Sequence, residues 1–360
     1  MEYKKHVLVV RLSALGDVAI LAPVVRRRAE ANPDVLFTIA APALLQPFFD
    51  GLDNVRYLPT KKAPSRQLYA HLTQVHPTMI ADMHRINRIV GADLIFLLHG
   101  IPVHAIKKYH WARHRLVRSR HKILRPLISA EQRYEDVFDA CGLKSLPLSQ
   151  HRIHSNGEEL SQRSASAVKS NLMGTGNNSQ SDFKSESDKI AYHAKTIGIA
   201  PFSQHQGKIW PLEKMEALVS KLSQRSDCKL LLFGGKTEAA ILQSWAERYP
   251  NVESLAGKYA FEEELKRIQH LDVMVSMDSA NMHFASYYGV PVVSVWGATH
   301  SYAGFYGCGQ NPEWAVQMDL PCRPCSAYGN KPCRFGDYRC MELITVEKVL
   351  ETIDKLMLEE

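Results

Sequence analysis

The feature that most limits how this chain folds is an alternation of short β-branched runs with helical segments, repeated on either side of one long polar stretch. Residues 6–12 (HVLVVRL) predict a first strand, closed by Ser-Ala-Leu-Gly-Asp, and a helical pattern follows over 18–31. Strands are then expected at 35–40, 54–58 and 78–82, with helices at 44–49 and 65–74 between them. Strands alternating with helices of this length form a parallel sheet with helices on both faces. The alternation resumes near Lys195, with strands expected at 196–200, 229–233, 252–255, 273–276 and 291–295. Helices are expected between them at 211–226, 238–249, 261–270 and 282–288. The fold class is therefore α/β, with two Rossmann-like, doubly wound domains facing a cleft. In such sheets ligands bind beyond the carboxyl ends of the strands.

Between the halves, residues 154–188 are rich in Ser, Asn, Gln, Lys and Glu and nearly free of aromatic and β-branched side chains. Too little apolar surface is available there to offset the entropy of ordering. The expected organisation is a first domain over 1–153, a flexible polar linker over 154–189, a second domain over 190–343 and a tail over 344–360. The tail reads as an amphipathic helix with Thr345 as its cap.

At 360 residues the chain can bury two cores without disulfides or metal to hold them. No run of 18 apolar residues occurs, so no bilayer-spanning helix is expected. The apolar stretch near the N-terminus is too short for a signal peptide, and the chain reads as cytosolic. A net charge of +7 permits an anionic partner without naming one. Of seven cysteines, Cys322, Cys325, Cys333 and Cys340 cluster near the C-terminus. In a cytosolic chain they read as free thiols first; structural zinc is the less favoured alternative, because only one pair has C-x2-C spacing.

Four loops carry chemistry, each expected at a strand end. Gly16 suits a close backbone approach, and Asp17 beside it is either a cleft-facing carboxylate or an ordinary helix cap. In the loop Ala200–Pro211, backbone amides, the Ser203 hydroxyl and Lys208 suit a phosphate, or make a common βα loop with a solvated lysine. Glu238, after two glycines, is placed for a ribose diol or simply favours the helix dipole. Asp278, Ser279, Ala280 and His283 form a turn whose carboxylate suits sugar hydroxyls and whose amides suit a pyrophosphate; capping and a satisfied histidine is the plainer reading. No G-x-G-x-x-G occurs at the first strand end and no G-x-x-x-x-G-K-[ST] anywhere.

In this order, V-x-R-x-S-x-x-G-D, K-x-W-P and D-S-A-N-M-H before P-V-V-S-V-W-G resemble glycosyltransferase family 9, which contains the ADP-heptose:lipopolysaccharide heptosyltransferases. The resemblance implies a GT-B fold, with the last helix crossing back to the first domain. It implies an inverting, metal-independent transferase moving heptose from ADP-heptose to the lipid A–Kdo acceptor or heptosylated core. Asp17 then matches the general base, Lys208 the donor-phosphate lysine, and Glu238 the acidic residue on the adenosine ribose. Asp278 matches a donor-sugar contact; Ser279, Ala280 and His283 lie in the pyrophosphate turn. Ser203 and Gln204 fall among phosphate contacts, although Gln204 departs from the usual hydroxyl type, and Ala280 stands where many members have Gly. No cofactor is required on this reading.

Residues 104–125 hold eight Lys/Arg and no Asp or Glu. They read either as a solvated basic surface or as a docking surface for an anionic lipid-linked saccharide at the inner face of the inner membrane. His84, Arg85 and Arg88 are further candidates for holding acceptor anions. Two alternatives stand beside this reading: a GT-B transferase or epimerase using another nucleotide sugar, and a basic nucleic-acid-binding protein, for which no motif is present.

Overall fold

A computed structural model describes residues 3–61, 63–147 and 194–358. The expected linker 154–189 lies outside the described residues. The first half runs β1 (Lys5–Val10), α1 (Leu15–Ala31), β2 (Val35–Ala41), a 3-10 turn (Ala43–Phe48), β3 (Val55–Pro59), α2 (Ser65–Leu72) and β4 (Met79–Asp82). It continues with α3 (Asn87–Leu98), β5 (Val103–Ala105), α4 (His110–Val117) and α5 (Ala130–Ala140). The second half runs β6 (Lys195–Ala200), α6 (Leu212–Ser223), β7 (Cys228–Leu232), α7 (Ala239–Arg248), β8 (Val252–Ser254) and α8 (Phe261–Gln269). It ends with β9 (Val273–Met277), α9 (Ala280–Tyr287), β10 (Val292–Trp296), β11 (Ala315–Gln317), α10 (Arg339–Glu342) and α11 (Val346–Leu358).

Both sheets are parallel, in the orders β3-β2-β1-β4-β5 and β11-β10-β9-β6-β7-β8. The central strands are buried on both faces, which is why β1 and β9 read as continuous apolar runs rather than alternating ones. In each sheet the order reverses beside the first strand, and the loops after β1, β4, β6 and β9 gather there.

The halves meet along α1 and α9. Phe48 packs against Phe284 and Tyr287, with ring centroids 5.5 and 4.7 Å away. The Tyr287 hydroxyl donates to the Phe48 carbonyl at 2.9 Å and accepts from Arg26 Nε at 2.8 Å. Behind this contact, buried Arg27 and Arg28 of α1 pair with Glu131, Glu135 and Asp139 on α5. Further along, the Leu127 and Ala130 amides donate to the carbonyls of Tyr302 and Gly304 at 2.9 and 2.7 Å.

The tail departs from expectation. Thr345 caps it as read, its Oγ1 accepting from the Lys348 amide at 3.2 Å. However, α11 packs on α6, β10 and β11 of the second half rather than crossing back to the first. Its apolar stripe Val349, Ile353 and Leu356 completes the core around Trp210, Leu218 and Leu222. Arg225–Asp354 and Lys221–Glu347 ion pairs flank it. That stripe leaves no second apolar face with which to cover another domain.

Candidate active site between the two sheets

A cavity of 820 Å³ lies between the halves. The first half contributes Ala14, Leu15, Gly16, Asp17 and Leu44. All the expected donor-side residues line the opposite wall: Ser203, Gln204, Lys208, Glu238, Asp278, Ser279, Ala280 and His283.

Asp17 sits in the first turn of α1, two residues inside its start at Leu15. Its Oδ2 reaches back to the Ala14 amide at 3.4 Å, a long cap, and makes its strong contact with Arg11 Nη2 at 2.6 Å. The capping role and the cleft-facing role therefore coexist. Arg11 is itself held by the Met83 carbonyl and lies over the Tyr134 ring, 5.8 Å from its centroid. Burial pushes the Asp17 carboxyl up, but the Arg11 guanidinium, the Ala14 amide and His283 outweigh it and hold the group below the usual carboxylate range. The resulting stability is present above the unfolded value near ~3.9 and is lost as pH falls through the lower folded value.

Arg11→Gln removes the largest of those opposing influences. The carboxyl is expected to titrate at higher pH, moving the acid limb of activity upward with it. A pH–rate profile of kcat/KM checks this; an unmoved acid limb contradicts it.

His283 of α9 is buried, and burial lowers its pKa to about 4, so the ring is neutral at pH 7. Its Nδ1 has no hydrogen-bond partner among the described residues. The ring abuts Gly16 so closely that a Cβ there would lie 2.5 Å from His283 Cδ2. This close approach is what glycine beside Asp17 provides. Gly16→Ala gains at most about 1 kcal/mol of helix propensity but forces a buried ring to move, at about 1–3 kcal/mol. A net loss of stability is expected, read as a lower midpoint in urea unfolding; an unchanged or higher midpoint contradicts the packing argument.

On the opposite wall, Lys208 Nζ pairs with Asp278 Oδ2 at 2.9 Å, and the Thr299 hydroxyl donates to the same oxygen at 2.8 Å. Ser203 Oγ donates to the Asp278 carbonyl at 3.1 Å. Lys208 closes a 3-10 turn pinned by the Ala298 amide donating to the Gly207 carbonyl at 2.8 Å. Gly329, at φ +76°, covers the lysine stem so tightly that a Cβ would meet Lys208 Cγ at 2.6 Å. The Trp210 side chain of the K-x-W-P segment is fully buried and donates from Nε1 to the Ile344 carbonyl at 3.2 Å, anchoring the loop. Ser279 is the N-cap of α9 but makes no side-chain cap bond, so the amides of the first turn face the cavity without a capping oxygen. At the far end, Glu238 accepts from the Gly235 amide beside Phe233, Phe261 and Glu264. Burial raises the Glu264 carboxyl.

His84, Arg85 and Arg88 lie elsewhere. His84 joins Arg11, Asp17, Lys108, Arg113 and Arg133 around a smaller cavity of 240 Å³ on the other side of Asp17. Arg85 and Arg88 line an outer cavity of 800 Å³ with Lys108 and His110. Asp82 fixes this loop, its Oδ1 accepting from the His84 and Arg85 amides, each at 2.8 Å. The four clustered cysteines are free thiols, and among the described residues no group of three or more His, Cys, Asp or Glu is placed to hold a metal ion.

Thr299, Arg11 and Glu264 were not singled out from the sequence. Thr299 lies three residues beyond β10, in the same strand-end position as the four loops that were read. Arg11 is the arginine of V-x-R itself.

The sequence pattern of glycosyltransferase family 9 (heptosyltransferase) matches residues 145–335, more than half of the chain. The chain belongs to this family. Lipooligosaccharide heptosyltransferase 2 of Campylobacter jejuni is 29% identical over 168 residues, 45% of this chain and 51% of that protein. The chain thus aligns with about half the length of the curated relatives that it matches first. Among solved structures, a glycosyl transferase family 9 protein from Veillonella parvula superposes with a TM-score of 0.65 at 18% identity, covering 100% of this chain and 99% of that one. Escherichia coli heptosyltransferase WaaC with ADP-2-deoxy-2-fluoro heptose superposes with a TM-score of 0.62 at 16% identity, covering 97% and 99%. These neighbours share the fold, two parallel α/β sheets of the GT-B type.

Proposed function

We propose that this chain is an inverting glycosyltransferase that moves a heptose from ADP-heptose to an anionic saccharide of the lipopolysaccharide inner core. The observation that carries this reading is that Asp17 shares one cavity with Lys208, Asp278 and the uncapped start of α9. The family supports the reaction class, and the names of the matched relatives support heptose and lipopolysaccharide.

The donor diphosphate lies against Lys208 and the amides of Ser279, Ala280 and Asn281, where a cation and a helix start stabilise negative charge. Glu238 takes the ribose hydroxyls, and Phe261 offers a flat apolar wall for the base. Asp278 accepts from the sugar hydroxyls. Asp17 accepts the proton of the attacking acceptor hydroxyl as its oxygen bonds to the anomeric carbon. The bond from that carbon to the phosphate oxygen breaks, and its electron pair leaves with ADP. Attack from the face opposite the leaving group inverts the anomeric centre.

The acceptor enters from the cationic side, past Arg85, Arg88 and Lys108, toward His84 and Arg11. Among the described residues no helix is long and apolar enough to cross a membrane. We place the chain at the cytoplasmic face of the inner membrane, where such an acceptor is presented. Transfer measured across ADP-, GDP- and UDP-sugars tests the donor: ADP-heptose alone is expected to give rapid acceptor-dependent release of nucleotide. Equal turnover with a UDP-sugar, or consumption of donor without acceptor, overturns the assignment.

A further inference from the structure

Helix α3 leaves an apolar face uncovered. Its buried side, Ile89, Ala92 and Phe96, packs on Leu68 and Leu72 of α2. On the other side Val90 is 38% exposed, Leu94 57%, Leu97 51% and Leu98 85%, and no exposed polar residue interrupts them. At the helical period these four fall within an arc of about 100°. Scattered exposed leucines are ordinary; a continuous stripe on one helix marks a contact surface. Trp111 of α4 adds an aromatic ring that is 82% exposed. The two helices meet at the outer cavity, where Val90, Arg85 and Arg88 face Lys108 and His110.

The charge along the chain that follows this stripe has one sign. Residues 94–130 contain no Asp or Glu, and the single acid of α3, Asp93, is buried. Arg88, Lys107, Arg115, Arg120 and Arg125 are all exposed. Apolar residues and a tryptophan rimmed by Lys and Arg match a surface that is apolar beneath and anionic at its head groups. A second copy fits worse, because two-fold self-packing would set the same cationic rim against itself.

We propose that the exposed face of α3, with Trp111, docks this chain onto an anionic lipid bilayer. The leucines enter the acyl boundary and the basic rim lies on the head groups. Joined to the function proposed above, the orientation is informative. The outer cavity opens beside the stripe and shares Lys108 and His110 with the smaller cavity that ends at Arg11 and Asp17. A lipid-linked anionic acceptor would pass along that line without leaving the surface.

The test is flotation of the full chain with phosphatidylcholine vesicles, with and without about one-third phosphatidylglycerol. Binding is expected to the anionic vesicles only, to fall with salt, and to blue-shift the emission of Trp111, a shift lost in Trp111→Phe. The double variant Leu94→Glu/Leu98→Glu should keep its thermal midpoint and its ADP affinity while its bound fraction drops by about ten-fold. Equal flotation of the variant, or no flotation of the wild type, overturns the proposal. So does a wild-type dimer that the double variant dissociates, which would assign the face to a second copy. None of these readouts uses transfer activity, so failure here leaves the catalytic reading standing, and failure of the donor panel leaves the docking surface standing.

Discussion

Asp17→Ala is expected to lower kcat by about a thousand-fold or more while ADP affinity stays within about two-fold of wild type. The reason lies in where Asp17 stands. It belongs to the first-half wall of the cavity, opposite the residues assigned to the diphosphate, so its loss removes proton acceptance without removing a donor contact. The Arg11 contact at 2.6 Å keeps the carboxylate ionised and fixes its direction. A base held this low accepts the proton only as bond formation to the anomeric carbon makes the attacking hydroxyl acidic. Steady-state kinetics paired with calorimetric ADP titration checks this. Turnover in Asp17→Ala within ten-fold of wild type, or a large loss of ADP affinity, removes Asp17 from the role.

Lys208→Ala should behave differently, weakening both donor binding and turnover, with kcat/KM down by about a hundred- to a thousand-fold. Among the described residues Lys208 is the one lysine or arginine lining the donor side of this cavity, and the close approach of Gly329 fixes its stem. Its removal also leaves the buried Asp278 carboxylate with the Thr299 hydroxyl as its described partner, adding negative charge where the diphosphate must sit. Pairing the lysine with Asp278 before the donor arrives keeps the cation ready without leaving it bare in the cavity. Lys208→Arg should recover part of the loss. Full donor affinity in Lys208→Ala would contradict the placement of the diphosphate.

Most of the two sheets was legible because their central strands are almost wholly buried, so runs such as HVLVV and VMVSM announce themselves without alternation. The donor-side residues were legible for a related reason. A polar cluster directly after such a run has one place to go, the carboxyl edge of the sheet. What lies between β4 and the end of the first half was not read as elements. Helix α3 carries apolar residues on both its buried and its exposed side, which erases the amphipathic signal. Helix α5 did carry a signal, Ser129 capping the Gln132 amide at 3.0 Å, but buried arginine pairing rather than apolar packing alone fixes it to α1. The tail's periodicity predicts its helix, whereas its partner is the second half and not the first. Periodicity gives a helix its apolar face and says nothing about which core receives it. The Gly16–His283 contact joins residues from opposite halves and becomes visible only in three dimensions.

The central claim is that one cavity holds the proton acceptor and the diphosphate cradle on facing walls. A crystal structure of the chain with an ADP-heptose analogue tests it most directly. The account predicts the diphosphate on Lys208 and the amides of Ser279 and Ala280, with the anomeric carbon turned toward Asp17 and space for one hydroxyl between them. A diphosphate bound outside this cavity, or a sugar ring turned away from Asp17, would contradict it.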